Sequence, residues 1–187
     1  MSAYINEDLI PELDGTNFVI SKVSKNDSSG NEYVLSEFKY KEDVIHIKFN
    51  HINPAKSFVG DCSDCGFGVT KAQYNGATWG DILVLGLGLG ILPHYIKENK
   101  SPTSIDVVES DAEIISTVDW INSGVNKIEA NEWSYTPSKT YDIIIADLWA
   151  EPSDITTDQK NTLISNYSSH LKTGGKLIIP ISGETIA

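Results

Sequence analysis

The sequence predicts an α/β fold: a doubly wound, mostly parallel sheet preceded by a small N-terminal antiparallel β unit. Three observations predict it. In Asp81-Ile82-Leu83-Val84-Leu85-Gly86-Leu87-Gly88-Leu89-Gly90-Ile91-Leu92-Pro93 an apolar strand runs straight into three alternating glycines, and a helical pattern begins at Pro93. About 20 residues on, a second apolar run, Ile105-Asp106-Val107-Val108, ends on Glu109. A strand, a glycine turn, a helix and a second strand tipped by an acid form the nucleotide-binding half of a Rossmann-like sheet. Two further short apolar runs, at residues 143–146 and 177–179, suit parallel strands buried on both faces.

Each element has its own signal. Residues 17–24 and 33–49 are rich in Val, Ile, Phe and Tyr, and Ile45, Ile47 and Phe49 alternate with His46 and Lys48. That alternation is a half-buried strand pattern, and the polar stretch at residues 25–31 is a turn. An antiparallel unit is expected over residues 17–50. The main sheet is expected to have strands near residues 82–85, 105–108, 126–130, 142–146 and 176–180. Ile114, Ile115, Val118 and Ile121 recur at helical spacing, with Gly124 as C-cap. Leu163, Ile164, Tyr167 and Leu171 do the same before Gly174, and Thr156-x-x-Gln159 is a capping box for that helix. The chain divides into a β-rich unit at residues 1–60, a connection at 61–80 and a Rossmann-like domain at 81–187.

Composition narrows the function. The 187 residues are 40% hydrophobic and 21% charged, ordinary for a globular protein. There are 14 basic residues, all Lys, against 26 acidic ones, giving −12. That balance repels a phosphate backbone, so no nucleic-acid partner is expected. Small cations such as amines would be attracted, although an acidic surface that merely aids solubility is the favoured reading. The start has no basic n-region and no apolar run, so no secretory signal or membrane segment is predicted and the expected location is cytoplasmic. Cys62 and Cys65 form a single Cys-x-x-Cys. A zinc site wants four ligands. His46 and His51 could complete one, but two ordinary reduced cysteines are favoured and no metal is predicted.

The glycine spacing narrows the ligand. Nicotinamide and flavin sites use Gly-x-Gly-x-x-Gly before a pyrophosphate. Here Gly86, Gly88 and Gly90 alternate, and the turn has no Lys, Ser or Thr for a phosphate. A ligand with a ribose and no phosphate fits better, and S-adenosylmethionine is the common one. Glu109 can accept hydrogen bonds from both ribose hydroxyls. At a strand end it is expected to make few core contacts. The competing reading is a glycine turn that merely packs a helix on a sheet.

Five segments, in order, resemble the class I S-adenosylmethionine-dependent methyltransferases, and within them the spermidine synthase-like branch. They are Val84-Leu85-Gly86-Leu87-Gly88-Leu89-Gly90, Asp106-Val107-Val108-Glu109-Ser110-Asp111, Ile128-Glu129-Ala130-Asn131-Glu132-Trp133, Tyr141-Asp142-Ile143-Ile144-Ile145-Ala146-Asp147-Leu148-Trp149 and Gly174-Gly175-Lys176-Leu177-Ile178-Ile179. Most methyltransferases have an acid where Val84 stands; spermidine synthase-like proteins do not. Two departures stand out. Spermidine synthases usually have an Asp at the place of Leu89. A full class I sheet also has two further strands, so a sheet lacking its last strands is expected.

The resemblance implies roles. Gly86, Gly88 and Gly90 would underlie the methionine part and ribose, and Glu109 would hold the ribose. Ser110 and Asp111 would line the adenine rim. Asn131 would accept from the adenine amino group, and Trp133 would cover the ring or simply pack at the sheet edge. Asp147 would take the proton of an attacking amine, or merely cap a turn, and Glu151 would hold the substrate's charge. The cofactor would be S-adenosylmethionine or its decarboxylated form, used to move a methyl or aminopropyl group to a small acceptor such as an amine. Relatives use the N-terminal β unit for contacts in a homo-oligomer. The alternative is a non-catalytic nucleoside-binding or interaction module retaining the fold.

Overall fold

The computed structural model describes residues 12–26, 29–30, 32–40, 43–50, 76–88, 90–119, 124–148, 155–179 and 184–186. The N-terminal unit is a four-stranded antiparallel sheet of β1 (Leu13–Asp14), β2 (Phe18–Asn26), β3 (Glu32–Tyr40) and β4 (Asp43–Asn50), in that order. β2 and β3 pair from Phe18↔Tyr40 to Asn26↔Glu32, and β3 bulges between Phe38 and Tyr40 on its way to β4.

The main sheet is built from β5 (Asp81–Leu85), α1 (Ile91–Lys100), β6 (Ser104–Glu109), α2 (Ala112–Thr117), β7 (Val125–Glu129), β8 (Tyr141–Ala146), α3 (Thr157–Tyr167), β9 (Leu171–Ile179) and β10 (Glu184–Ile186). The strand order is β10-β9-β8-β5-β6-β7. β5 to β9 are parallel, and β10 pairs antiparallel with β9. The winding reverses at β5, between β6 on one side and β8 on the other. Doubly wound sheets bind ligands outside the carboxyl ends of the strands at such a reversal.

The buried strands split their side chains by the period of two. Ile82, Val84, Ile105 and Val107 face one core, closed by Leu92 and Ile96 of α1 and Ile114 of α2. Phe18 and Ile20 of β2 join this core. Leu83, Leu85, Val108, Ile144 and Ala146 face the other, closed by Leu163 and Tyr167 of α3. The capping box of α3 is present: Gln159 N–H donates to Thr156 Oγ1 at 3.2 Å, and Thr156 N–H donates to Gln159 Oε1 at 2.8 Å. Among the described residues no helix is long and apolar enough to cross a membrane.

Four expectations differ in detail. α1 starts at Ile91, so Pro93 sits in its first turn, where its missing N–H has no intrahelical partner to lose. α2 stops at Thr117. The Lys127 ammonium bonds the Ile115 and Val118 carbonyls at 2.7 and 2.8 Å, satisfying groups that a helix end leaves open. Ile121 lies outside the described residues, and Gly124 precedes β7 rather than capping α2. Leu171 begins β9 instead of ending α3. Its partner is Tyr141, the next pair is Ile143↔Lys176, and the Gly174-Gly175 step sits in the bulge between them, with Gly174 at φ 78°. β10 adds a short strand that apolar patterning did not announce. Cys62 and Cys65 lie outside the described residues.

Candidate functional site at the carboxyl edge of the sheet

Three loops meet at the carboxyl ends of β5, β6 and β8. The turn after β5 holds Gly86, Gly88 and Gly90, all at positive φ (93°, 49° and 72°). Gly86 N–H donates to the Val108 carbonyl at 2.8 Å, and Asp147 N–H donates to the Leu85 carbonyl at 2.8 Å. These bonds carry the sheet pairing one residue past the strands on both sides. A Cβ at Gly86 would collide with the Asp147 carbonyl oxygen and touch Leu148. Only glycine therefore permits both the conformation and the close approach of β8.

Glu109 ends β6 and is buried, with 8% exposure. Its Oε2 accepts from Leu87 N–H at 3.0 Å, and its Oε1 accepts from Asp111 N–H at 2.9 Å. The carboxylate thus fastens the glycine turn to the start of α2. This corrects the expectation of few core contacts: Glu109 shapes the site as well as facing it. A carboxylate oxygen has about two acceptor positions. Among the described residues each oxygen accepts one such bond, which leaves a position for a further donor, the arrangement two neighbouring hydroxyls require.

Asp111 caps α2, accepting from Glu113 N–H at 2.8 Å and Ile114 N–H at 3.4 Å. The N-terminal unit docks here. Thr16 and Asn17 N–H groups donate to Glu113 at 2.7 and 3.0 Å, and the Asn17 side-chain amide donates to Asp111 at 3.1 Å. Ser110 is exposed, and its N–H donates to Glu132 Oε1 at 2.9 Å. Glu132 was not among the residues singled out from sequence. It is 6% exposed, and its carboxyl pKa is raised, chiefly by burial, with neighbouring Glu109 adding to the rise. The only sequence signal was its place beside Asn131.

The turn after β7 carries the other two candidates. Ala130 N–H donates to the Glu109 carbonyl at 3.1 Å and brings this turn to the site. Asn131 is exposed, and its Oδ1 accepts from Trp133 N–H at 2.9 Å, so one acceptor position closes the turn. Trp133 is half-buried and packs against the core on the α3 side.

Asp147 follows β8 directly. Part of the residue reaches the surface, while burial among protein atoms pushes its carboxyl up to about 7. It can therefore lose or gain a proton near neutral pH, as a general base requires. Glu151 lies outside the described residues. The site thus joins the glycines, Glu109, Ser110, Asn131 and Asp147 along one edge. A buried carboxylate oriented by backbone N–H groups and a carboxyl that titrates near neutrality are the chemistry it offers.

No family model matches the chain, and no curated protein sequence matches it. Solved structures do. DhpI in complex with SAM and HEP aligns with TM-score 0.50 and 17% identity, over 65% of this chain and 55% of that one. The DhpI–SAH complex gives TM-score 0.50 and 17% identity, over 66% and 59%. SAM-bound CalS10, an amino pentose methyltransferase from Micromonospora echinaspora, gives TM-score 0.46 and 18% identity, over 57% and 44%. This chain therefore spans about half the length of the structures it matches. The likeness establishes the fold: a doubly wound, Rossmann-like sheet of the class I methyltransferase type.

Proposed function

We propose that this chain binds S-adenosylmethionine and transfers its methyl group to a small acceptor. One observation carries the reading: Glu109 is held at the strand end by two backbone N–H groups, with acceptor capacity left on both oxygens among the described residues, beside a glycine turn whose sequence has no Lys, Ser or Thr for a phosphate. The bound ligands of the fold neighbours add support, since DhpI is solved with SAM and with SAH.

S-adenosylmethionine, when bound, supplies a methyl group already activated on a sulfonium. The protein then has mainly to align the acceptor, and alignment alone accounts for large rate gains. Glu109 accepts the ribose hydroxyls. Gly86, Gly88 and Gly90 shape the turn that underlies the methionine part and the ribose. Asn131 uses its remaining acceptor position, and Trp133 its ring edge, toward the base. Asp147 takes the proton from an amine or hydroxyl acceptor, with Glu151 holding substrate charge. The −12 net charge favours a cationic amine.

Thermal shift with S-adenosylmethionine, S-adenosylhomocysteine, decarboxylated S-adenosylmethionine, methylthioadenosine and NAD tests the first step. A ligand at 100 times its Kd should stabilise the fold by about 2.7 kcal/mol. No shift with any adenosyl ligand rejects the reading. Mass spectrometry on a screen of amines and other small acceptors then separates methyl transfer from aminopropyl transfer. Binding without any product leaves a nucleoside-binding module.

A further inference from the structure

We infer that Glu132 is a positioning residue for the nucleoside site, acting on ribose recognition through the Ser110 peptide and Glu109. The inference rests on the adenosyl reading above and extends it.

Two consecutive backbone N–H groups follow the strand-end acid, and each meets a different carboxylate. Ser110 N–H donates to Glu132 Oε1 at 2.9 Å, and Asp111 N–H donates to Glu109 Oε1 at 2.9 Å. Ser110 N–H belongs to the Glu109–Ser110 peptide, whose carbonyl accepts from Ala130 N–H at 3.1 Å, and Asp111 N–H belongs to the next peptide, hinged at the Ser110 Cα; holding the first peptide at both ends narrows the directions in which the Asp111 bond can be made. The Asp111 bond in turn fixes the Glu109 carboxylate, whose other oxygen holds Leu87 N–H at 3.0 Å. Removing Glu132 frees the first of three coupled bonds.

Glu132 is itself held firmly. The Tyr167 hydroxyl donates to its carbonyl, and the Asn166 amide donates to the next carbonyl, Trp133, at 2.7 Å. The last turn of α3 thus aims Glu132 at β6. A buried carboxylate without a cation is costly. Among the described residues Glu132 has no ion pair. Its titratable neighbours are Glu109 from β6 and Tyr167 from α3, neither of which offsets its charge. A residue needed only for packing would be apolar here. A carboxylate is explained by a backbone N–H that must be held.

The test is a double-mutant cycle read as affinity for S-adenosylhomocysteine by isothermal titration, on wild type, Glu132→Ala, Glu109→Gln and the double variant. Near-UV circular dichroism checks the fold. Glu132→Ala should weaken binding about tenfold, in the range of a lost charge-assisted hydrogen bond. In the Glu109→Gln background the same change should alter affinity less than about twofold, because coupled residues are not additive. Glu132→Gln keeps an acceptor for Ser110 N–H and should restore part of the loss. Additive effects, or an unchanged affinity in Glu132→Ala, overturn the positioning role while leaving the adenosyl reading intact. If Glu132→Ala fails to fold, Glu132→Leu, which fills the space without offering Ser110 N–H an acceptor, decides, and wild-type affinity there overturns the role. No binding by wild type overturns both.

Discussion

Replacing Asp147 with Asn should stabilise the protein at pH 8 and hardly change it at pH 4. Burial lifts the Asp147 carboxyl from its ordinary 3.8 to about 7. A raised folded pKa means that the folded state holds the proton more tightly than the unfolded chain does. Stability is therefore lost as pH rises from about 4 to about 7, and no further change follows above that. At about 1.4 kcal/mol per pH unit the full rise corresponds to about 4 kcal/mol. Partial solvent access reduces this to about 2–4 kcal/mol. Asn keeps the shape and carries no charge, so it escapes the loss. For a chain of this size the gain at pH 8 is roughly 5–15 °C in Tm. Urea melts of both proteins at pH 4, 6 and 8 measure it. The gap between them should open steadily with pH. A gap independent of pH, or an Asn variant weaker at pH 8, would refute burial as the cause. The same variant should keep adenosyl binding and lose about 10²–10⁴-fold in turnover if Asp147 is the base. A side chain that costs stability where it sits and is needed for turnover would mark the site.

Three further outcomes follow from the same geometry. Glu109→Ala should abolish adenosyl binding in calorimetry and also lower stability by about 1–3 kcal/mol per orphaned N–H in urea melts, since Leu87 and Asp111 both lose their acceptor. Gly86→Ala should destabilise by about 2 kcal/mol or more in the same assay, because φ 93° strains any side chain and the new Cβ meets the Asp147 carbonyl. Lys172→Met should lower Tm at pH 7 and much less at pH 3. The Lys172 hydrogen bond holds the Asp81 carboxyl below its ordinary range, and that stabilisation is present above the unfolded pKa and disappears as pH falls through the folded one.

Much of this fold is legible in the sequence because its signals are local. Apolar runs led to strands expected at 82–85, 105–108 and 142–146, each within one residue of the bounds of β5, β6 and β8, and the Thr156–Gln159 pair marked the start of α3. Glycine alternation after β5 marked a turn that requires positive φ. What stayed hidden depends on partners far apart along the chain. α2 ends early because Lys127 reaches back to its carbonyls. Gly174-Gly175 reads as a helix stop but serves a bulge against Tyr141. Glu109 was found as a site acid, while its grip on Leu87 and Asp111 was not, since backbone bonds leave no residue-type signature. Glu132 needed Ser110, 22 residues away, to become visible. The Asp147 pKa reflects crowding that no spacing encodes.

The two ends of the sheet divide their acids by how these are answered. At the amino end, Asp81 and Asp142 share the Lys172 ammonium at 2.6 and 2.8 Å, and Lys139 reaches Asp106 at 2.9 Å. Asp106 also accepts from Asn126 at 2.8 Å and from the Tyr141 hydroxyl at 2.9 Å. These carboxylates are answered by lysine cations and side-chain donors, so they bind the strands together. At the carboxyl end, Glu109 is answered by backbone N–H groups, Glu132 by the Ser110 N–H and hydroxyl, and Asp147 by burial. An N–H group orients a carboxylate without cancelling its charge. The acids there are thus fixed in direction while remaining able to accept a hydroxyl or a proton. Moving a lysine to that end should stabilise the fold and weaken the site, because the same ion pair that secures Asp81 would consume the acceptor capacity on which ribose binding depends.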